Sequence, residues 1–134
     1  MKHTDNNKAL AAKFWKAANE GDLEILASLV ADDCYFIHSD VRGKEQVVQH
    51  FNLDPKPDWG QRIGRMIAEN NIVVVESIWH GKAAGPYFDY LLEGKSTGKQ
   101  FELPMVFIME FEEGLLKTFN EFFNELDLKR SLTE

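Results

Sequence analysis

The most constraining feature of this sequence is a strict alternation of residue type from Phe101 to Phe111. Large apolar side chains occupy every second position: Phe101, Leu103, Met105, Phe107, Met109 and Phe111. Successive side chains of a β-strand point to opposite sides of the sheet, so this pattern predicts a long strand with one face on the core. The other side is polar at its ends but carries Val106 and Ile108 in the middle. We expect a second copy of the chain to cover this side, with Phe122 nearby, and so predict a homodimer.

The first part of the chain has helical periodicity, which predicts three helices separated by a short strand from Cys34 to His38. Each helix is marked by residue types that cap or break helices: Thr4, Asp5 or Asn6 before the first, Gly21 and Asp22 between the first and second, and Gly43 before the third.

From Gln61 onward the period becomes alternating. Four strands are predicted there: Arg62 to Glu69, Ile72 to His80, Phe101 to Phe111 and Leu115 to Asn124. Residues 53–60 contain two prolines and are predicted to form a loop, and residues 81–98 are predicted to be mostly loop, with Tyr87 to Leu92 as a short strand or flap. Helices followed by antiparallel strands are typical of the α+β class, and we expect residues 1–134 to form one domain.

Charge and composition limit the partners of the chain. The net charge is −7 and Lys and Arg form no cluster, so we expect no nucleic-acid partner. No apolar stretch is long enough to span a bilayer and the N-terminus lacks the apolar core of a signal peptide, so we expect no membrane partner and a cytoplasmic location. Cys34, the single cysteine, is interpreted as a small buried hydrophobe. Ten Phe, three Trp and three Tyr suit either a core or a small-molecule pocket.

Six short segments resemble the SnoaL-like branch of the nuclear transport factor two-like superfamily. They are Phe14 to Leu23, Leu29 to Asp33, Gly43 to Glu45, Asn71 to Glu76, Ser96 to Lys99 and Gly114 to Leu116. The resemblance implies three N-terminal helices on a strongly curved antiparallel sheet that encloses an apolar pocket, usually in a homodimer. The superfamily includes ketosteroid isomerases, limonene-epoxide hydrolases, polyketide cyclases and non-catalytic binding domains, so the fold does not decide the reaction.

The resemblance also assigns positions to the residues of the isomerase site. The catalytic base of the isomerases, an Asp at the end of the first strand, falls at His38. Their oxyanion-hole Tyr falls at Phe14, and their protonated acid falls at Val106 or Phe107. The side chains of Phe14, Val106 and Phe107 cannot donate a hydrogen bond, so both donors of the oxyanion hole are missing. We therefore exclude isomerisation through that two-donor oxyanion hole.

The epoxide hydrolases of this fold use an Asp–Arg–Asp relay, and the resemblance assigns positions to these three residues as well. The last Asp falls at Glu121, but the Arg and the first Asp fall near Ser77 and Trp79, which cannot replace them. SnoaL-like cyclases rely on one acid–base residue in an apolar pocket, and this pattern fits the chain better.

His38 and Glu121 are therefore the candidate catalytic residues. A histidine titrates near neutral pH and can accept a proton from a carbon acid or a water, although His38 at a strand end could equally hydrogen-bond Asp40. Glu121 alternates with Phe119 and Phe123, whose burial would turn its carboxylate inward; the alternative is a surface carboxylate on an edge.

The residues expected to line the ligand pocket are mostly aromatic: Phe14, Trp15, His50, Trp79, Phe107, Phe119 and Phe123. We expect a small hydrophobic ligand, no cofactor and no metal, since no short-range ligand spacing links His38, His50 and Glu121. Two functions stay open. One is an acid–base isomerase, cyclase or hydrolase of a carbonyl or cyclic compound, and the other is a non-catalytic ligand-binding or dimeric assembly domain.

Overall fold

The structure is a computed structural model that describes residues 3–52, 59–95 and 97–133. The elements in these ranges are, in chain order, α1 (His3–Glu20), α2 (Leu23–Leu29), β1 (Val30–Phe36), β2 (Val41–Arg42), α3 (Lys44–Phe51), β3 (Trp59–Glu69), β4 (Ile72–Lys82), α4 (Pro86–Leu91), β5 (Gln100–Glu112), β6 (Leu115–Phe122) and α5 (Glu125–Thr133). Residues 53–58 of the predicted loop and Ser96 lie outside the described residues. The α+β class is confirmed.

The three N-terminal helices are present, and their boundaries have local causes. Gly21 adopts φ +71°, a left-handed conformation that favours glycine, and this ends α1. The Asp22 carboxylate accepts a hydrogen bond from the backbone N–H of Ile25 at 3.1 Å and so caps α2. The three predicted capping residues of α1 lie instead within its first turn, because that helix begins at His3.

The six strands form one sheet in the order β2-β1-β6-β5-β4-β3. Neighbouring strands are antiparallel except β1 and β6, which run parallel with Phe36 opposite Phe119. The antiparallel pairing predicted for the strands from residue 61 onward is confirmed, and the parallel pairing of β1 with β6 is an addition that was not predicted. The reason is non-local: β6 is the last strand of the meander β3-β4-β5-β6, and it lies beside β1 and runs in the same direction.

Strand β5 behaves as its alternation predicts. All six apolar residues of the predicted core face, from Phe101 to Phe111, are buried. On the other face Val106 and Ile108 are each 37% exposed, and Phe122 of β6 is 51% exposed beside them. Helices α1 and α3 pack over the core side, against β3 and β1 respectively, so the outer side is open over these residues.

Several segments differ from the sequence prediction: β2 and α5 were not predicted, and β3 begins at Trp59, inside the predicted loop. The segment from Tyr87 to Leu92, expected as a short strand or flap, lies mostly in α4 (Pro86–Leu91), because Pro86 suits a first helical turn and Phe88 and Leu91 bury one face of the helix. Strand β1 begins at Val30 and ends at Phe36, so His38 lies in the turn after the strand rather than at its last position.

Cys34 is fully buried in the core, as predicted. Burial, followed by the charge of Asp33, raises the pKa of its thiol to about 11, so the thiol stays protonated at neutral pH. Among the described residues, no helix is long and apolar enough to cross a membrane.

Candidate functional site

A cavity of about 220 Å³ lies between the core side of the sheet and helices α1 and α3. Its wall combines aromatic rings with a few polar groups: Trp15, Ala18, Asn19, Phe36, His38, Ser39, His50, Phe51, Trp59, Gly60, Gln61, Trp79, Tyr87, Met105, Phe107 and Glu121. All three tryptophans of the chain border it. A concave, mostly apolar space with few polar groups is typical of a small-molecule site.

His38 and Glu121 both border this cavity. The parallel pairing of Phe36 with Phe119 accounts for this, because each candidate residue follows its paired phenylalanine by two positions. The backbone N–H of Ile37 donates to the Phe119 carbonyl at 2.8 Å and extends the pairing toward the turn that carries His38. The turn after β1 and the end of β6 therefore lie side by side, so the side chains of His38 and Glu121 reach one volume.

Each candidate has a defined setting. The His38 imidazole is exposed and packs against the ring of Phe123, with 5.6 Å between ring centroids. The Asp40 carboxylate, the alternative partner considered for His38, accepts a hydrogen bond from the Tyr35 hydroxyl at 3.0 Å. Glu121 is half-buried and lies opposite Phe107 of β5. Its carboxylate is therefore next to the aromatic wall of the cavity.

His50 borders the cavity from α3 and packs edge-on against Phe36, with 4.9 Å between ring centroids. Burial, and secondarily the charge of His38, lowers the pKa of His50 below its ordinary value of 6.5. His50 is therefore neutral at neutral pH, when it can donate or accept a hydrogen bond without adding charge to the cavity.

The depressed pKa of His50 predicts a pH-dependent stability. The unfolded chain binds a proton at this residue near pH 6.5, whereas the folded chain binds it only at lower pH, so stability falls as pH falls below 6.5. We expect His50→Gln to remove this contribution. Urea unfolding at about pH 7.5 and pH 5.5 should show a smaller acid-induced loss in the variant than in the wild type. An equal loss in both proteins would contradict the assignment.

Three aromatic residues that were expected in the lining lie elsewhere. Phe14 and Phe119 are buried at 0% and 1% exposure and pack against each other behind the wall, with 6.0 Å between ring centroids. Phe14 precedes Trp15 on α1, and a helix turns about 100° per residue, so only the tryptophan faces the cavity. Phe123 follows the end of β6 and contacts Trp79 at the rim.

Sequence reasoning missed a polar group on the opposite wall, formed by Asn19, Gln61 and Ser77. Asn19 and Gln61 border the cavity, and Ser77 is buried behind them. One signal in the sequence was available: Gln61 lies two residues from both Trp59 and Ile63, so its side chain is on the same side of β3 as theirs. Tyr87 was missed too; burial and a 2.7 Å hydrogen bond to Glu125 raise its pKa, so its phenol stays neutral.

The described residues hold no group of three or more His, Cys, Asp or Glu side chains that could bind a metal ion. Among the described residues of the lining there is neither Lys nor Arg, and Glu121 supplies a carboxylate. The site therefore suits acid–base chemistry on a neutral molecule better than recognition of an anion.

Residues 11–119 of this chain match the SnoaL-like domain family in sequence. No curated protein matches it significantly in sequence.

Solved structures match it closely in fold at low identity. TsrD from Streptomyces laurentii aligns with a TM-score of 0.79 at 21% identity, covering 99% of this chain and 98% of TsrD. A candidate SnoaL-like polyketide cyclase from Jannaschia sp. CCS1 gives a TM-score of 0.78 at 15% identity, covering 99% and 96%. An epoxide hydrolase of the LEH-like type from M. tuberculosis gives a TM-score of 0.76 at 16% identity, covering 98% and 92%.

Proposed function

Since this chain belongs to the SnoaL-like domain family, we propose that residues 1–134 form one such domain, which binds a small hydrophobic molecule and acts on it by acid–base chemistry. The substrate class is a carbonyl or cyclic compound, and the reaction is an isomerisation, cyclisation or hydrolysis. The observation that carries the proposal is that His38 and Glu121 border one cavity whose wall is rich in aromatic side chains.

In this proposal His38 is the base. It lies at the exposed end of the cavity, where it exchanges protons with solvent between turnovers, and an imidazole near neutral pH can take a proton from the carbon next to a carbonyl. Glu121 lies opposite Phe107, and its carboxylate either takes the proton from the imidazolium of His38 and returns it to the ligand, or orients that imidazolium while His38 itself returns the proton. An apolar wall strengthens both interactions, because its low polarity screens charge poorly.

Proton abstraction has a direct test that needs no knowledge of the natural substrate. We expect the chain in D₂O to catalyse exchange of the hydrogens next to the carbonyl of 1-indanone, a small cyclic ketone, as followed by ¹H NMR. A panel of cyclic epoxides, assayed for diol formation, tests hydrolysis in parallel. Binding of these compounds without exchange or hydrolysis would support the second candidate, a non-catalytic binding domain.

The second candidate has one specific observation in its favour. The resemblance places the hydrogen-bond donors of the isomerases at Phe14 and at Val106 or Phe107. Phe14 and Phe107 are buried and carry no donor, and Val106 lies on the outer side of the sheet. A ligand can be held by such a wall without being activated.

We also propose that the chain forms a homodimer through the outer side of the sheet. Val106, Ile108, Phe122 and Ile67 present apolar surface there, with exposures between 37% and 59%. Cross-strand pairing makes the patch continuous, since Val106 lies opposite Phe122 and Ile108 opposite Val74, which in turn lies opposite Ile67. A continuous apolar patch of this kind favours contact with another protein surface.

We expect Val106→Glu to convert the dimer into a monomer at micromolar concentration, because a carboxylate buried in an apolar contact is strongly unfavourable. Light scattering after size exclusion measures the change. Val106 lies opposite Glu76, so Ile108→Glu, whose neighbours Val74 and Asn120 are uncharged, provides a second variant. Leu126→Glu is the matched control, since Leu126 is 55% exposed on α5 and does not belong to the patch of Val106, Ile108, Phe122 and Ile67. A wild-type monomer would contradict the proposal.

A further inference from the structure

We propose that Gln61 is the hydrogen-bond donor that holds a neutral oxygen acceptor of the ligand, such as a ketone, lactone or epoxide oxygen. The inference rests on the proposed function in requiring that the cavity hold a ligand. It adds the chemical class of that ligand and the residue that recognises it. The oxygen of the ligand would lie next to Gln61 of β3, against the wall formed by α1, β3 and β4.

The backbone of Gln61 is fixed by the end of α1. The Asn19 side chain donates from Nδ2 to the Gln61 carbonyl at 2.8 Å, and its Oδ1 accepts from the Gln61 N–H at 2.8 Å. A side-chain amide that satisfies both backbone groups of one residue holds that residue in place. The position of Gln61 at the cavity wall is therefore set by the helix as well as by its strand.

The side-chain amide of Gln61 is also oriented. The Ser77 hydroxyl donates to Gln61 Oε1 at 2.7 Å, and Ser77 is only 5% exposed. This contact occupies the acceptor end of the amide and leaves Nε2, with two protons, as the other end. Within the described ranges Nε2 contacts Met105 Sδ at 3.5 Å, and a thioether sulfur is a weak acceptor. A pre-oriented donor with spare capacity thus borders the cavity.

The charge of the cavity indicates which acceptor fits. In the described part of its wall the Glu121 carboxylate is present and neither Lys nor Arg is, so a carboxylate or phosphate ligand would be repelled there without a compensating cation. A neutral oxygen meets no such repulsion. Trp15 points to the same class of ligand, because its indole N–H is buried without a partner in the described parts of the chain. A purely hydrocarbon ligand would leave both donors poorly satisfied.

The test compares two probes of nearly equal shape, 1-indanone and indane, which differ by one carbonyl oxygen. Dissociation constants from ligand-detected NMR titrations should favour 1-indanone by about threefold to tenfold in the wild type, the usual range for one neutral hydrogen bond. Gln61→Glu keeps the acceptor oxygen that Ser77 contacts but replaces the donor, and should abolish this preference. Gln49→Glu makes the same charge change on an exposed position of α3 and should preserve it.

A second variant separates donation from packing. Ser77→Ala keeps Gln61 but frees its amide to rotate, so the preference for 1-indanone should fall while the affinity for indane stays within about twofold. A preference unchanged in both Gln61→Glu and Ser77→Ala would overturn the role of Gln61 and leave the proposed function standing. If neither probe bound the wild type, the ligand-binding function would fail, and this inference with it. Tighter binding of indane-2-carboxylate than of 1-indanone would overturn the assigned ligand class.

Discussion

Replacing His38 with alanine is expected to lower the rate of proton abstraction by about 10²–10⁴-fold, the usual contribution of a general base. The ligand should still bind, because the aromatic wall supplies most of the contact and His38 lies at its exposed end. Initial rates of deuterium exchange into 1-indanone measure the first effect, and NMR titration of the same compound measures the second. The loss should therefore appear in turnover rather than in the dissociation constant.

His80→Ala is the matched control for this experiment. His80 lies on β4 next to Trp79 and is absent from the lining of the cavity, so its removal should leave exchange unchanged. Glu121→Gln completes the series and should also lower turnover, since the amide cannot exchange a proton at neutral pH. A His38→Ala protein that retained wild-type exchange would eliminate the base assigned here.

Phe119→Ala is expected to lower the free energy of unfolding by about 3–5 kcal/mol, the usual range for truncating a buried aromatic side chain. Its ring is 1% exposed and packs against Phe36, Phe107 and Trp15, with centroid distances of 4.5, 5.4 and 5.7 Å. These partners come from β1, β5 and α1, so the ring joins three elements beneath the cavity.

Urea unfolding at a fixed protein concentration measures this loss. Tyr90→Ala provides the comparison, because Tyr90 is 79% exposed and its truncation should change stability by no more than about 0.5 kcal/mol. A loss below about 1 kcal/mol for Phe119→Ala would mean that the surrounding rings collapse into the vacated space.

Local patterns in the sequence were sufficient for the N-terminal helices and for the two faces of β5. Helix breaks such as Gly21 and the alternation from Phe101 to Phe111 act within a few residues, so they can be recognised without knowing the fold. Helix α4 was harder, because its six residues are too few to establish a helical period against a loop rich in glycine. The parallel pairing of β1 with β6 joins distant segments and leaves no local signal.

Some residues of the candidate site were recognisable from the sequence and others were not. The position of His38 followed from the superfamily resemblance and that of Glu121 from alternation with two phenylalanines, both of which are readable along the chain. Gln61 was not recognised, because its importance comes from Asn19 and Ser77, which belong to other elements. A polar residue near the start of a strand predicts solvent contact unless the partners that hold it are known.

The pairing of Phe36 with Phe119 sets Glu121 and the start of the turn that carries His38 beside each other by strand register. Insertions in the turns between β3 and β5 can change the size and shape of the ligand that enters without separating the two groups. A single extra residue in β6 after Phe119 has the opposite effect, because it would turn the carboxylate to the outer side of the sheet. Changes at the rim of the cavity can therefore alter its shape without moving the proposed acid–base pair.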